Sequence, residues 1–226
     1  MTFTPLGGGR EIGANSYLLS LNGKKILIDA GRHPVKEGYD SLPELDTIDD
    51  IDVIIISHSH YDHISSLPYI STIWPKAPVL MAQENKGLAL RILQNSVEVM
   101  KKKNEKDSEQ PVLYNHGEVN ELKHRIYPME YFQRYTIDDT IEVALYPAGH
   151  VMGAASIYLE HNGHRILYSG DFSLSQQLTI PPAQPPLKVE TLISEGTYGS
   201  KENQLITRFS EIERLSKSVK RILENK

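Results

Sequence analysis

The sequence contains no cysteine. Neither disulfides nor thiolate ligation is open to it, so any metal site must be built from histidine and carboxylate. It also lacks an apolar run long enough to span a bilayer and a basic-then-apolar start of the kind that marks secretion. A cytoplasmic location, with no membrane partner, is the resulting expectation. Basic residues are not in excess: 24 Lys and Arg against 29 Asp and Glu give a net charge of −5. That is not the basic surface by which proteins usually gather nucleic acid. No internal repeat is evident. At 226 residues the chain has room for one domain, or one and a fraction.

What the sequence does contain is concentrated in His58-Ser59-His60-Tyr61-Asp62-His63, which follows the apolar stretch Val53-Ile54-Ile55-Ile56. That stretch predicts a buried strand. Imidazole and carboxylate are the usual zinc ligands when no thiolate is available. A strand sends His58 and His60 to one side, and a loop leaving its end lets Asp62 and His63 reach a second position. Two further strand ends present one such side chain each: Ala148-Gly149-His150 after Ile141–Tyr146, and Tyr168-Ser169-Gly170-Asp171 after Arg165–Leu167. Together these give His58, His60 and His150 for one metal, and Asp62, His63 and Asp171 for another. Two such metals lie about 3.5–4 Å apart, with Asp171 the natural bridge. Asp29, at the end of Ile26-Leu27-Ile28, is placed to orient a metal-ligating histidine through its other nitrogen.

The pattern His-x-His-x-Asp-His with a later His and a later Asp resembles the metallo-β-lactamase fold of hydrolases. Gly149-His150-Val151-Met152-Gly153-Ala154-Ala155 and Ser169-Gly170-Asp171-Phe172-Ser173 are similar to the β-CASP nucleases within it, the group of the endonuclease subunit of the cleavage and polyadenylation factor. Ser194-Glu195-Gly196-Thr197-Tyr198-Gly199 resembles that group's own first motif, and Pro5–Gly13 and Ile28-Asp29-Ala30-Gly31 also fit. The resemblance implies an α/β (α+β) architecture, an αββα sandwich. It implies a metallo-β-lactamase domain over residues 1–200, with 201–226 as the start of a truncated β-CASP domain. The inserted helical domain, the returning strands and a last metal-ligating histidine are then missing, so the expected partner besides RNA is a complementing C-terminal segment or a second copy of the chain. The resemblance further implies two zinc ions and an activated hydroxide attacking an RNA phosphodiester. Asp62 and Glu195 take catalytic roles, Asp62 as a ligand the reaction depends on. Glu195 matches the acidic residue that pairs with a later histidine and assists leaving-group protonation.

Coarse patterning predicts strands near residues 2–6, 15–20, 24–29, 52–56, 79–81, 141–146, 154–160, 164–168 and 191–195, and helices near 64–72, 84–102, 119–124 and 202–225. Asn22-Gly23 and Asn162-Gly163 predict tight hairpins. Gly7-Gly8-Gly9 lacks the residues of a phosphate loop and predicts a bulge or turn. Ile180–Pro186 is too rich in proline for helix interior or central strand and predicts a rigid connector. Lys101-Lys102-Lys103 predicts a solvated helix end. His33, His116, His124, His161 and His164 lack ligand-spaced neighbours and are expected on surfaces or turns, His33 being the one able to face the cleft.

Three activities fit these observations. The first is a zinc-dependent ribonuclease. The second is a hydrolase of a small ester or phosphodiester on the same scaffold, since fold does not fix substrate. The third is a non-catalytic RNA-processing subunit, which the intact ligand set disfavours. The negative charge is compatible with the first, because two divalent cations would add +4 where the acids cluster.

Overall fold

The structure, a computed structural model, describes residues 1–197 and 207–224. The chain divides into two compact units, Met1–Glu195 and Gly196–Lys226. In the first, β1 (Thr2–Gly7), β2 (Ser16–Leu21), β3 (Lys24–Ile28), β4 (Val53–Ile56), β5 (Val79–Ala82) and β6 (Ile126–Met129) form one sheet in chain order. Strands β7 (Arg134–Ile137), β8 (Ile141–Pro147), β9 (Ala155–His161), β10 (His164–Tyr168) and β11 (Thr191–Ile193) form a second, ordered β11-β10-β9-β8-β7. Helices α1 (Tyr61–Ile64), α2 (Leu67–Ile73), α3 (Gln83–Lys106) and α4 (His116–Lys123) belong to this unit, and α5 (Arg208–Glu224) to the other.

Strand alternation sorts the core. Leu27, Ile54, Ile56, Val79 and Met81 pack with Leu67, Ile70, Ala89, Leu93 and Val97 of α2 and α3. Their neighbours Ile26, Ile28, Val53 and Ile55 pack with Ile141, Val143, Leu145, Ile157 and Leu159 of the second sheet. Met1–Glu195 thus stacks helices, first sheet and second sheet. Strand β4 is buried on both faces and flanked by parallel neighbours β3 and β5, which explains its unbroken β-branched run.

Both Asn-Gly hairpins form. Asn22 and Gly23 have φ of 50° and 76°, and Asn162 and Gly163 have 50° and 77°, the left-handed pair a primed turn requires. The pairing of β1 with β2 shifts register between Pro5 and Gly7, so the glycine run marks a bulge. The proline-rich stretch connects β10 to β11 and is tied down by Ala183 N donating to Ser173 O and Gln184 N to Pro147 O, at 2.8 and 2.9 Å.

Several elements depart from the sequence expectation. The helix expected near 64–72 is two helices separated by Ser65-Ser66, with a proline in the first turn of α2. Helix α4 starts earlier than expected because Asn115 and Glu118 form a capping box. Strands β6 and β7 lie at sheet edges. Pro128 disguises β6, since proline is tolerated in an edge strand and not in a central one. Of the helix expected over 202–225, residues 202–206 and 225 lie outside the described residues, as do Tyr198 and Gly199 of the Thr-Tyr-Gly motif.

Candidate metal centre

Three segments leaving the ends of β4, β8 and β10 carry the side chains. After β4, residues 57–60 have no regular structure, His60 being extended, and α1 then begins. The amides of His63 and Ile64 bond back to the His60 carbonyl at 2.9 and 3.1 Å, which turns Asp62 and His63 away from the line of His58 and His60. His150 sits in the turn between β8 and β9. Gly149 there has a φ of +72° and no room for a Cβ, which would lie 2.4 Å from Ser173 O and 2.5 Å from Ala183 N. Gln177 Nε2 donates to the carbonyls of Gly149 and His150 at 2.7 and 3.1 Å, fixing the turn. Asp171 follows β10, and the Phe172 amide beside it donates to Glu195 Oε1 at 2.9 Å.

The loops bring His58, His60, His150 and Asp171 together, with one ligand atom from each within 4.8 Å of all the others. His60 Nδ1 lies 3.1 Å from His58 Nε2 and 3.1 Å from His150 Nε2. Asp171 Oδ2 is 3.8 Å from His58 Nε2 and 3.6 Å from His150 Nε2. Its other oxygen, Oδ1, is 3.5 Å from His63 Nε2, and Asp62 Oδ2 is 3.7 Å from that same nitrogen. Asp171 therefore touches both groups of ligands. Nitrogens about 2.0–2.1 Å from one tetrahedral zinc lie about 3.3–3.4 Å apart, so the imidazole spacing suits a metal ion.

The electrostatics point the same way. Burial, reinforced by His63, His60 and His150, holds His58 far below the ordinary histidine range. Burial also lowers His150, with His60 and His63 adding to it against the pull of Asp171 and Glu195. Both are thus kept in the neutral form that ligates metal. His63 differs: burial opposes its charge, but Asp29, Asp171 and Asp62 together raise it above its usual value. Burial, helped by Glu195 and Asp62, raises Asp171 despite His63 and His150. The pocket disfavours protons on His58 and His150 yet draws positive charge towards its carboxylates, and a cation satisfies both demands.

Behind the ligands, Asp29 is fully buried. Its Oδ2 is 2.8 Å from His63 Nδ1 and accepts from Ser57 Oγ at 2.8 Å and the Tyr168 hydroxyl at 2.9 Å, while Oδ1 accepts from Ser57 N at 2.7 Å. Sequence reasoning missed Ser57, Tyr168 and Asn15. Asn15 Nδ2 donates to Asp62 Oδ2 at 3.0 Å and lies 3.0 Å from His63 Nε2. Its only local signal is that it immediately precedes β2. His33 does not join the cluster: its Nδ1 accepts from the amides of Val35 and Lys36, and its Nε2 lies 3.5 Å from Glu11. His116 bonds Glu98, His161 the Thr140 carbonyl and His164 the Thr191 hydroxyl, and His124 caps α4.

The metallo-beta-lactamase superfamily profile matches residues 9–217. The Emericella nidulans protein "Endoribonuclease ysh1" is 35% identical over 208 residues, which are 90% of this chain and 23% of that protein. The Dictyostelium discoideum protein "Cleavage and polyadenylation specificity factor subunit 3" is 34% identical over 230 residues, 99% of this chain and 29% of that protein. The chain spans about a quarter of the length of these curated relatives. A crystal structure of a protein of unknown function from Enterococcus faecalis shares the fold with a TM-score of 0.53 at 18% identity, over 76% of this chain and 43% of that one. With a converging His/Asp group able to hold a metal, and a family profile matched over most of its length, the chain belongs to the metallo-beta-lactamase superfamily.

Proposed function

We propose that the chain is the metal-binding portion of a zinc-dependent ribonuclease of the β-CASP type, hydrolysing an RNA phosphodiester. The observation that carries this reading is the convergence of His58, His60, His150 and Asp171 within 4.8 Å, with Asp171 also reaching towards His63. His58, His60 and His150 would hold one zinc, and Asp62, His63 and Asp171 a second. The all-nitrogen-and-oxygen set, rich in imidazole, suits zinc. When bound, two such ions bring the pKa of water from 15.7 to about 7 and offset charge on the phosphate.

The chain's own residues do the rest. Asp29 holds the Nδ1–H of His63, leaving Nε2 with its lone pair towards Asp62 and Asp171. The low proton affinity of His58 keeps it a ligand at neutral pH. Glu195, which accepts from the Phe172 amide and acts electrostatically on His150 and Asp171, would be the carboxylate that pairs with a later histidine and through it assists protonation of the leaving oxygen as the P–O bond breaks. Residues 201–226 would begin the inserted helical domain. Helix α5 exposes Phe209, Ile212, Leu215, Val219 and Ile222 at helical spacing, a stripe that a complementing C-terminal segment would bury. That the Emericella nidulans relative is an endoribonuclease by name supports RNA as the substrate.

Elemental analysis of protein purified without chelator tests the site, with His60→Ala alongside. Two zinc per chain, lost in the variant, together with RNA cleavage, is the expected result. No bound metal would sink the reading, and turnover of a generic phosphodiester without RNA cleavage would replace RNA by a smaller substrate.

A further inference from the structure

Beside the metal centre, and sharing only His60 with it, is a cavity of about 370 Å³, within the range of small-ligand pockets (about 300–1,000 Å³). It lies between residues 59–61, where α1 begins, and α3. Arg32, Tyr61, Ser96 and Lys103 line it, with Val99 and Met100 as an apolar wall. None of Asp62, His63, His150 or Asp171 contributes to it.

Arg32 is the unusual member. It is 5% exposed, and among the described residues it makes no ion pair. Its Nε donates to Ser41 Oγ at 2.8 Å, Nη1 lies 3.2 Å from Met100 Sδ, and its Cζ is 5.7 Å from the centre of the Tyr61 ring. A guanidinium has five N–H donors, these contacts engage two, and a thioether is a weak acceptor. Burying a cation without an anion is costly, so a cavity lined by this arginine favours an anionic occupant. Lys103 lies at the same cavity and pairs with Glu37 at 2.6 Å, both side chains about half exposed. Such a pair is weak and exchanges readily. Tyr61, a residue 38% exposed, carries a ring of the kind on which bases stack regardless of identity.

We propose that this cavity is a nucleotide subsite: it takes the unit next to the cleaved phosphodiester, its phosphate drawn to Arg32 and Lys103 and its base against Tyr61 and the apolar wall. The proposal deepens the ribonuclease reading and rests on it for the place of the subsite along an RNA strand. An anion with a flat apolar body matches the lining, and His60 links the subsite directly to the ligand cluster.

The test is a titration of the full chain, stripped of metal by chelator, with adenosine monophosphate, followed by NMR chemical shifts and repeated for Arg32→Met and Lys103→Glu. Binding without metal, weakened at least about tenfold by Arg32→Met as expected for losing a charge-assisted hydrogen bond, and also weakened by Lys103→Glu, is the expected result. Lys103 is on the surface, so its variant keeps the test decisive if Arg32→Met does not fold. No binding, binding only when zinc is restored, or binding that the variants leave unchanged would overturn the proposal. RNA cleavage by the zinc-loaded chain is measured in parallel. Nucleotide binding without cleavage leaves the pocket standing and sinks the ribonuclease reading, whereas cleavage without nucleotide binding does the reverse.

Discussion

Asp29 Oδ2 lies 2.8 Å from His63 Nδ1 across 34 positions of sequence, joining the end of β3 to the first turn after β4. Asp29 reaches that place with a φ of +60°, a conformation that short polar residues tolerate better than most. The same carboxylate accepts from Ser57 after β4 and from Tyr168 at the end of β10, so both sheets converge on it. A single buried acid thereby sets the rotamer and the tautomer of His63.

Asp29→Asn tests this relationship while keeping the backbone conformation accessible. The amide oxygen can still accept from Ser57, but the two acceptor oxygens are no longer equivalent, and His63 loses its fixed proton. Zinc affinity at the His63 position should fall about 10–100-fold, with the His58, His60 and His150 position less affected. Competition with a chromophoric chelator reads both constants, and equal losses at the two positions would argue against a specific role in orienting His63.

Asn15 should matter most when metal is absent. Its amide donates to Asp62 Oδ2 and sits 3.0 Å from His63 Nε2, while its oxygen accepts from the Tyr17 hydroxyl at 3.0 Å. It thus offers partial positive charge where a cation is called for. Asn15→Ala should cost about 1 kcal/mol in the metal-free chain, the worth of an ordinary hydrogen bond, and less once zinc holds the same ligands. Urea unfolding with and without zinc makes the comparison; an undiminished cost in the zinc form would mean the amide is not standing in for an ion.

The converging His58, His60, His150 and Asp171 were legible because each follows an apolar strand, with a glycine marking the exit before His150 and Asp171. Asp29 was legible for the same reason. Asn15, Ser57 and Tyr168 were not, because their roles depend on which strand ends meet across two sheets: Tyr168 is 139 positions from its partner Asp29. Strand β6 was hidden by Pro128, and β7 by its shortness and half-exposed face. The split of the helix after His63 turns on Ser65-Ser66, which local propensity reads as tolerable helix. Arg32 belongs to no motif in the sequence, and its burial is what singles it out.

Gly149 and Gly163 separate strain from crowding. Both have positive φ, +72° and +77°, but a Cβ on Gly163 would meet nothing within 4 Å, whereas one on Gly149 would strike Ser173 O and Ala183 N. Gly163→Ala should cost about 1–2 kcal/mol of left-handed strain and leave zinc affinity alone. Gly149→Ala should cost more than that and weaken zinc binding too, because the turn that presents His150 must move. Thermal melts and chelator competition on both variants provide the check; matching effects on zinc would show that the His150 turn is not held by these contacts.

Glu190 gives a pH dependence with a definite sign. Its carboxylate accepts from Arg165 N and Nε at 2.9 Å each, and its own amide donates to the Arg165 carbonyl at 3.0 Å. These bonds fasten the chain entering β11 to β10, in the register Ile166 opposite Thr191 from which the next residues lead to Glu195. The Arg165 guanidinium bonded to it brings Glu190 down to about 2, against about 4.3 for an unfolded glutamate. A depressed carboxylate contributes stability that is fully present above its unfolded value and is lost as pH falls through its folded value. Glu190→Gln should therefore be less stable than the native chain at pH 7. The gap should narrow from about pH 5 downward and be nearly gone by about pH 1, where both chains are neutral at this position. Because the pair is exposed, the gap should also shrink with added salt. Urea unfolding at stepped pH measures it, and a gap unchanged between pH 7 and pH 3 would mean that Glu190 holds β11 through shape rather than charge.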